Sequence, residues 1–299
     1  MFKACLFLCS GSVIHAMHHS LHHLHDHKTD PQDMFNMGGL RTKLPITYYT
    51  MLISTLAIAG VPIFSGFLSK DAILAGTLSY YHEYHGWTII FPIAGFGAAI
   101  ITAFYMFRLI YLTFHGQPSR KEVHDHIHES PLVMSIPLVV LAVLSFAFSF
   151  TFKLNPFNYA GWFYKFIPYG KNVVGLDMNA VRDGIHHAHT QAMIISLTVA
   201  SIGIATATIF YFFRFINVEK LAKRFNYIGL YNLSYNKFYI DEIYDALLYR
   251  PFLFFCNVFS WIDWDLYDQK FVDFWGWLTL KISDGAGYTD YNWLDQKVI

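Results

Sequence analysis

Long apolar stretches alternate with short polar ones along most of the chain. A helix needs about 20 mainly apolar residues to cross a hydrocarbon core of about 30 Å. Five apolar stretches approach or exceed that length, and we label them A to E in chain order: 1–18, 44–78, 87–114, 131–152 and 190–215. This pattern predicts an all-α membrane protein with about five transmembrane helices.

Segment B is too long for one straight span and is interrupted twice. Gly60, Val61 and Pro62 form the first interruption, and Ser65 and Gly66 form the second. A proline inside a helix removes a backbone donor and clashes with the preceding turn. At membrane depth such a break is tolerated only where protein or water satisfies the freed backbone groups. Segment B is therefore predicted to form two half-helices with an unwound joint between them.

The stretch 239–299 mixes acidic with aromatic residues and is too charged to span a membrane. We expect it to form an amphipathic helix along a membrane or protein surface, with Pro251 kinking it or starting a new helix. The chain then divides into a membrane bundle, 1–215, and a connector with the amphipathic helix, 216–299. The apolar residues that recur at helical spacing are Ile240, Ile243, Tyr244, Leu247 and Leu248.

Composition agrees with a membrane location. The 299 residues are 55% hydrophobic and 14% charged, whereas soluble proteins carry about 25% charged residues. Basic and acidic residues are equal in number, at 21 each, so no excess charge points to nucleic acid as a partner. Membrane lipids are the expected surroundings, and three cysteines are too few for a disulfide framework.

The loops differ in their content of Lys and Arg, which sets the orientation of membrane proteins. The loops after A, C and E contain nine such residues, and the loops after B and D contain four. We therefore expect the loops after A, C and E to lie on the cytoplasmic side, together with the amphipathic helix that follows segment E. The Lys and Arg residues of these loops are Lys28, Arg41, Lys43, Arg120, Lys121, Lys220, Lys223, Arg224 and Lys237.

Lys70 and Asp71 follow the predicted break in segment B. An ionisable residue at membrane depth costs about 3 kcal/mol on insertion scales, and such residues mark ion and proton paths. A lysine beside a carboxylate in an unwound joint can bind a proton with an affinity that changes when a nearby charge moves. The alternative is that Lys70 extends to the membrane interface. Lys3 is either the positive flank of a first span or, with more chain upstream, a second intramembrane lysine.

Histidine is abundant, with 16 residues, most of them in clusters at 15–27, 124–128 and 186–189. The clusters lack the cysteine or carboxylate partners of a tetrahedral site, so no dedicated metal site is predicted. We interpret the second and third clusters as solvated loop residues. No phosphate-binding loop, hydrolase motif, haem attachment or iron–sulfur cysteine set occurs, so no cofactor is expected in this chain.

Five short stretches have a distinctive sequence: FKACLFL at 2–8, GSVIHA at 11–16, MGGLR at 37–41, SKDAIL at 69–74 and NKFYIDEIY at 236–244. In this order they resemble the antiporter-like subunit L, or subunit 5, of respiratory complex I (NADH-quinone oxidoreductase). The resemblance extends over essentially the whole chain. It implies the C-terminal half of such a subunit, with the first half-channel lying upstream and the lateral helix truncated.

The resemblance implies proton translocation coupled to quinone reduction, without redox chemistry in this chain. Lys3 matches the family's central lysine, and Lys70 its terminal channel lysine, with Asp71 beside it. His15 and His19 are candidate helpers of this polar axis, although the histidine-rich loop that follows departs from the family pattern. NAD, FMN, iron–sulfur clusters and quinone are expected in other subunits, and the tail corresponds to the lateral helix that contacts neighbouring antiporter-like subunits.

Two alternatives remain open. A subunit of a multi-subunit Na⁺/H⁺ antiporter shares the same motifs, although the opening of the lateral helix favours complex I. A structural membrane subunit with no conducting role is the second alternative. The expected location is the bacterial inner membrane, crossed several times, with the lateral helix on the cytoplasmic side.

Overall fold

The computed structural model describes the backbone of residues 1–146, 178–226 and 229–295. These residues are mainly helical, and no strand forms among them, apart from an isolated β-bridge between Phe64 and Phe146. The chain divides into two compact units, Met1–Asn217 and Val218–Ile299. This division lies next to the boundary that we expect between residues 215 and 216.

The described part of the first unit contains seven α-helices. They are α1 (Phe2–His23), α2 (Pro45–Ala59), α3 (Ser65–Tyr84), α4 (Ile90–Phe114), α5 (Lys121–Asp125), α6 (Leu132–Ser145) and α7 (Met178–Ala207). A 3₁₀ turn, Gly86–Ile89, precedes α4, and a π-helical turn, Thr208–Phe212, follows α7. In the described ranges, Gly86–Phe114 and Asp183–Phe212 are long and apolar enough to cross a membrane, while α2 and α6 are shorter apolar helices.

Two helices are longer than the apolar pattern indicates. α1 continues five residues beyond position 18, and α7 includes residues well before position 190. Helix formation needs backbone bonding and one packed face rather than an apolar sequence throughout, and Ala188 and Ala192 give α7 such a face. The third histidine cluster therefore lies on a helix, and its interpretation as a loop is wrong. The end of segment D falls outside the described residues.

Small side chains allow the helices of the first unit to approach closely. Cys5 and Cys9 on α1 are fully buried, and the Cys9 Sγ lies 3.4 Å from the Thr50 Oγ1 on α2. Between α4 and α7, a Cβ on Gly203 would lie 2.6 Å from the carbonyl oxygen of Ile100. Close packing of small residues is the usual basis of helix association inside a membrane.

The break between α2 and α3 depends on two glycines. Gly60 ends α2 with a φ of 84°, a left-handed conformation that glycine adopts without steric cost. A Cβ on Gly66 would lie only 2.0 Å from the carbonyl oxygen of Ala57, so α3 can start beside the end of α2 only if residue 66 has no side chain. Pro62 lies between the two glycines, in the non-α-helical joint. The structure thus places the break where the sequence predicts it.

The second unit begins with α8 (Val218–Asn226) and α9 (Leu230–Tyr235) and continues as a long helical run. Pro251 lies where a π-helical segment of this run passes into an α-helical segment. Large apolar side chains of this run, such as Phe252 and Leu280, are exposed. The run comprises α10 (Ile240–Tyr244), a π segment (Asp245–Tyr249), α11 (Arg250–Trp261), a π segment (Ile262–Val272), α12 (Asp273–Thr289) and a π segment (Asp290–Asp295).

Candidate functional site

Lys70 lies in the second turn of α3 and extends back to the end of α2. Its Nζ is 3.5 Å from the carbonyl oxygens of both Ile58 and Ala59. The last carbonyls of a helix have no partner inside that helix and form the negative end of its dipole. The break therefore creates a site for a cation, and the partly buried ammonium group of Lys70 occupies it.

Gly60 shapes the space around the lysine as well as ending α2. A Cβ on this residue would lie 3.3 Å from the Cδ of Lys70 and 3.8 Å from its Nζ. The lysine side chain therefore passes directly beside the residue that adopts the left-handed conformation. A larger residue at this position would be strained and would also crowd the lysine.

Asp71 faces a different helix. Its side chain is fully buried, and its Oδ2 lies 2.8 Å from the Nε2 of His189 on α7, whose side chain is 20% exposed. Burial of a carboxylate without a hydrogen-bonding or charged partner is unfavourable, so this contact explains how Asp71 is accommodated between helices. Together, Lys70 and Asp71 connect α3 to both α2 and α7.

The sequence interpretation misses His189 as a site residue, because it assigns this histidine cluster to a loop. A usable signal is present: Ala188, Ala192 and Ser196 recur at helical spacing and are buried. This recurrence extends the helix towards the N-terminus and places His189 next to its buried face. The sequence does not identify Asp71 as the partner, since the two residues are 118 positions apart.

The structure places Lys3, His15 and His19 on α1 but does not gather them around Lys70. All three are exposed. The start of α1 is near the joint, because a Cβ on Gly66 would lie 3.4 Å from the Cε1 of Phe2. A rise of about 1.5 Å per residue then places His15 about 20 Å further along α1. The roles of Lys3, His15 and His19 stay predictions.

A second polar group connects α1 and α2 to the segment before α6. Glu129 accepts hydrogen bonds from the backbone N–H of Ile46, at 2.8 Å, and from the Thr47 hydroxyl, at 2.7 Å. The Ser12 hydroxyl lies 3.0 Å from the Thr47 Oγ1 and 2.6 Å from the Ser130 Oγ. Glu129 thus caps the N-terminus of α2 from more than 80 residues away, which no local sequence pattern reveals.

Charged and histidine side chains cluster at the C-terminal end of α1 and in the loops beside it. The Arg120 guanidinium beside Asp26 holds the pKa of that carboxyl well below its usual range. The rings of His19 and His128 have centroids 5.0 Å apart, and those of His23 and His126 are 5.3 Å apart. In the part of the chain that the structure describes, no group of three or more His, Cys, Asp or Glu residues is arranged to hold a metal ion.

Comparison with known proteins gives the site a context. Residues 1–102, which include Lys70 and Asp71 but not His189, match a family described as NADH:quinone oxidoreductase/Mrp antiporter, transmembrane. Subunit L of the NADH-quinone oxidoreductase of Rickettsia felis is 32% identical over 92% of this chain and 40% of its own length. Chain 5 of the NAD(P)H-quinone oxidoreductase of a Picosynechococcus species is 34% identical over 97% of this chain and 43% of its own length.

A third relative is a subunit of a differently named dehydrogenase. Subunit L of the F(420)H(2) dehydrogenase of Methanosarcina mazei is 35% identical over 81% of this chain and 35% of its own length. The chain thus spans 35–43% of the length of these three relatives. The matches to these relatives extend over 81–97% of this chain. The helix break with Lys70 and Asp71 lies inside the region that matches the family. This matched region of the chain, residues 1–102, belongs to the NADH:quinone oxidoreductase/Mrp antiporter family of transmembrane proteins.

Proposed function

We propose that this chain is a proton-translocating part of the membrane arm of an NADH-quinone oxidoreductase, and that Lys70 carries the proton. The observation that supports this most directly is the position of the Lys70 Nζ at the last carbonyls of α2, inside a helix break. The names of the relatives that match over most of the chain point to the same class of complex.

The break supplies what a proton site in a membrane requires. Carbonyl oxygens at a helix end stabilise an ammonium group, and an unwound segment leaves room for water. Among the described residues the ammonium group is held by these oxygens and pairs with no carboxylate, while Asp71 contacts α7. A change of charge nearby can then alter how tightly Lys70 binds its proton. In this proposal Lys3 passes a proton towards Lys70, which releases it on the far side.

In this proposal, quinone reduction elsewhere in the complex drives the movement of protons through this chain. NAD, FMN, iron–sulfur clusters and quinone belong to other subunits in this proposal, and this chain contributes only proton-binding groups. The exposed apolar side chains of the long helical run in the second unit suit a lateral helix that contacts neighbouring antiporter-like subunits and lipid. The host membrane would be the bacterial inner membrane.

Five crossings of that membrane fit the arrangement of helix ends in the first unit. The ion pair between Asp26 and Arg120 brings together the loops after α1 and α4. The opposite ends of α3 and α7 meet, because a Cβ on Gly184 would lie 2.7 Å from the Ser79 Oγ. We therefore propose crossings by α1, by α2 with α3, by α4, by α6 and by α7, with the basic loops and the lateral helix on the cytoplasmic side.

The test is Lys70→Met in the assembled complex, reconstituted in vesicles. This variant retains the length of the side chain and removes its charge. We expect proton pumping per assembled complex to fall by about tenfold or more, while the amount of complex on a native gel stays the same. Lys28→Met, at an exposed loop lysine, is the matched control and should pump normally. Normal pumping by Lys70→Met would refute the role of Lys70.

A Na⁺/H⁺ antiporter subunit is the second candidate, because the matching family description names antiporters as well as oxidoreductases. The same vesicles distinguish the two functions. Proton pumping that is driven by NADH and unchanged when K⁺ replaces Na⁺ supports the oxidoreductase subunit. Proton movement that requires a Na⁺ gradient and no electron donor supports the antiporter.

A further inference from the structure

The residue after Lys70 on α3, Asp71, forms an ionisable pair with His189 of α7. The fully buried Asp71 contacts His189 through a distance of 2.8 Å between Oδ2 and Nε2, and the side chain of His189 is 20% exposed. A histidine is the side chain whose unperturbed charge changes between about pH 5 and 8. We propose that Asp71 and His189 act together as the proton-binding pair that follows Lys70 in the path, with His189 as the carrier; this proposal rests on the proposed function.

The geometry makes α3 the connection between two proton-binding sites. Successive residues of an α-helix point about 100° apart, so Lys70 and Asp71 point in different directions from α3. Lys70 points to the end of α2, whereas Asp71 points to α7. A proton that leaves the first site would then reach the second by passing partly around α3 along water molecules.

In the part of the chain that the structure describes, the elements packed around His189 present mainly apolar side chains. On α4, which packs against α7, residues 90–104 contain no Asp, Glu, Lys, Arg or His. The apolar cluster around this part of α7 includes Leu74 and Phe96. The charged groups of α3 near the pair are Lys70 and Asp71; His82 and Glu83 lie near the far end of that helix. On α7 itself, Asp183, His186 and His187 are exposed.

The proton balance of the step is simple. The Lys70 ammonium gives one proton to water, and water gives one proton to the Nδ1 of His189. Lys70 is left as a neutral amine, and His189 becomes an imidazolium whose charge is paired with the Asp71 carboxylate through Nε2. Release of that proton to water from the exposed part of His189 restores the neutral ring. No electron is transferred and no covalent bond between heavy atoms changes.

The test distinguishes a His189 that carries protons from a His189 that only forms a hydrogen bond with Asp71. In His189→Gln, the side-chain amide can still donate a hydrogen bond to Asp71 from a position close to that of Nε2, but it cannot carry a proton. We expect the assembled complex with His189→Gln to lose about tenfold or more of its pumping rate in vesicles, at an unchanged amount of complex. His189→Asn should behave in the same way. His186→Gln, an exposed histidine on the same helix, is the matched control and should pump normally.

Other results of these experiments would overturn one of the two proposals. Normal pumping by His189→Gln overturns the proposal, because the hydrogen bond alone would then suffice. Failure of both amide variants to assemble also overturns it, in favour of a structural contact between α3 and α7. Comparison with Lys70→Met keeps the two proposals apart: loss of pumping in that variant with normal pumping in His189→Gln refutes only the role of His189. Normal pumping in Lys70→Met refutes the proposed function itself.

Discussion

Lys70 and Asp71 are adjacent in the chain but have different neighbours in the fold. The lysine lies against the carbonyls that end α2, and the aspartate lies against His189 of α7. An ammonium group that shared the carboxylate of its own neighbour would be held by a permanent ion pair. In the proposed proton path, these separate partners allow each group to respond to a different nearby charge.

Among the described glycines, Gly66 has the closest neighbour for an added Cβ. In Gly66→Ala the new Cβ would lie 2.0 Å from the carbonyl oxygen of Ala57, so α2 and α3 would have to move apart. We expect less assembled complex on a native gel and a lower temperature of half-inactivation.

Gly76→Ala, on the same helix, is the control for this prediction. A Cβ at Gly76 meets no heavy atom within 4 Å, and replacing glycine by alanine inside a helix is favourable by about 0.5–1 kcal/mol. This variant should be as stable as the parent or more stable. Equal losses of complex in Gly66→Ala and Gly76→Ala would contradict the role of the close contact with Ala57.

At the scale of helices, the sequence predicts the features that depend on the backbone preferences of individual residues. The break in segment B is predictable because Gly60 and Pro62 have intrinsic backbone preferences. The start of α7 is not, because its histidines look like loop residues until the packing of the helix on α3 is known. Likewise, the contact between Asp71 and His189 joins residues 118 positions apart, and only the tertiary fold brings them together.

Glu129 stabilises α2 at its N-terminus. It accepts hydrogen bonds from the N–H groups of Ile46 and Thr47, at 2.8 and 3.4 Å, and a negative charge there is favourable to the helix dipole. Glu129→Ala should therefore destabilise the helix by about 1–2 kcal/mol. We expect a lower temperature of half-inactivation of the assembled complex, with Glu129→Gln between the two.

The control for the cap is Glu122→Ala. Glu122 is an exposed acidic residue in α5, in the same connection between α4 and α6. Its removal should leave the inactivation temperature unchanged. If Glu122→Ala and Glu129→Ala lower that temperature equally, general loss of negative charge explains the effect, and the cap does not.

At the scale of the whole bundle, two loops that are far apart in sequence meet at one end. Asp26 pairs with Arg120, and the backbone N–H of Gly39 donates a hydrogen bond of 3.3 Å to the carbonyl oxygen of His115. The loops after α1 and α4 must then lie on the same side of a membrane. The distribution of Lys and Arg predicts the same grouping from charge alone and adds a direction, towards the cytoplasm.

Labelling of single cysteines tests both the grouping and the direction. The buried Cys5 and Cys9 can remain, and the exposed Cys256 is replaced by serine. Lys28→Cys and Lys121→Cys should react with a membrane-impermeant maleimide only in inverted vesicles, and Glu83→Cys only in right-side-out vesicles. Labelling of Lys28→Cys and Lys121→Cys from opposite sides would contradict the fold, because Asp26 and Arg120, which form the ion pair, are close to these positions. Labelling of both from the outer side would preserve the fold and reverse the orientation, so that Lys70 would lie in a path that runs the other way across the membrane.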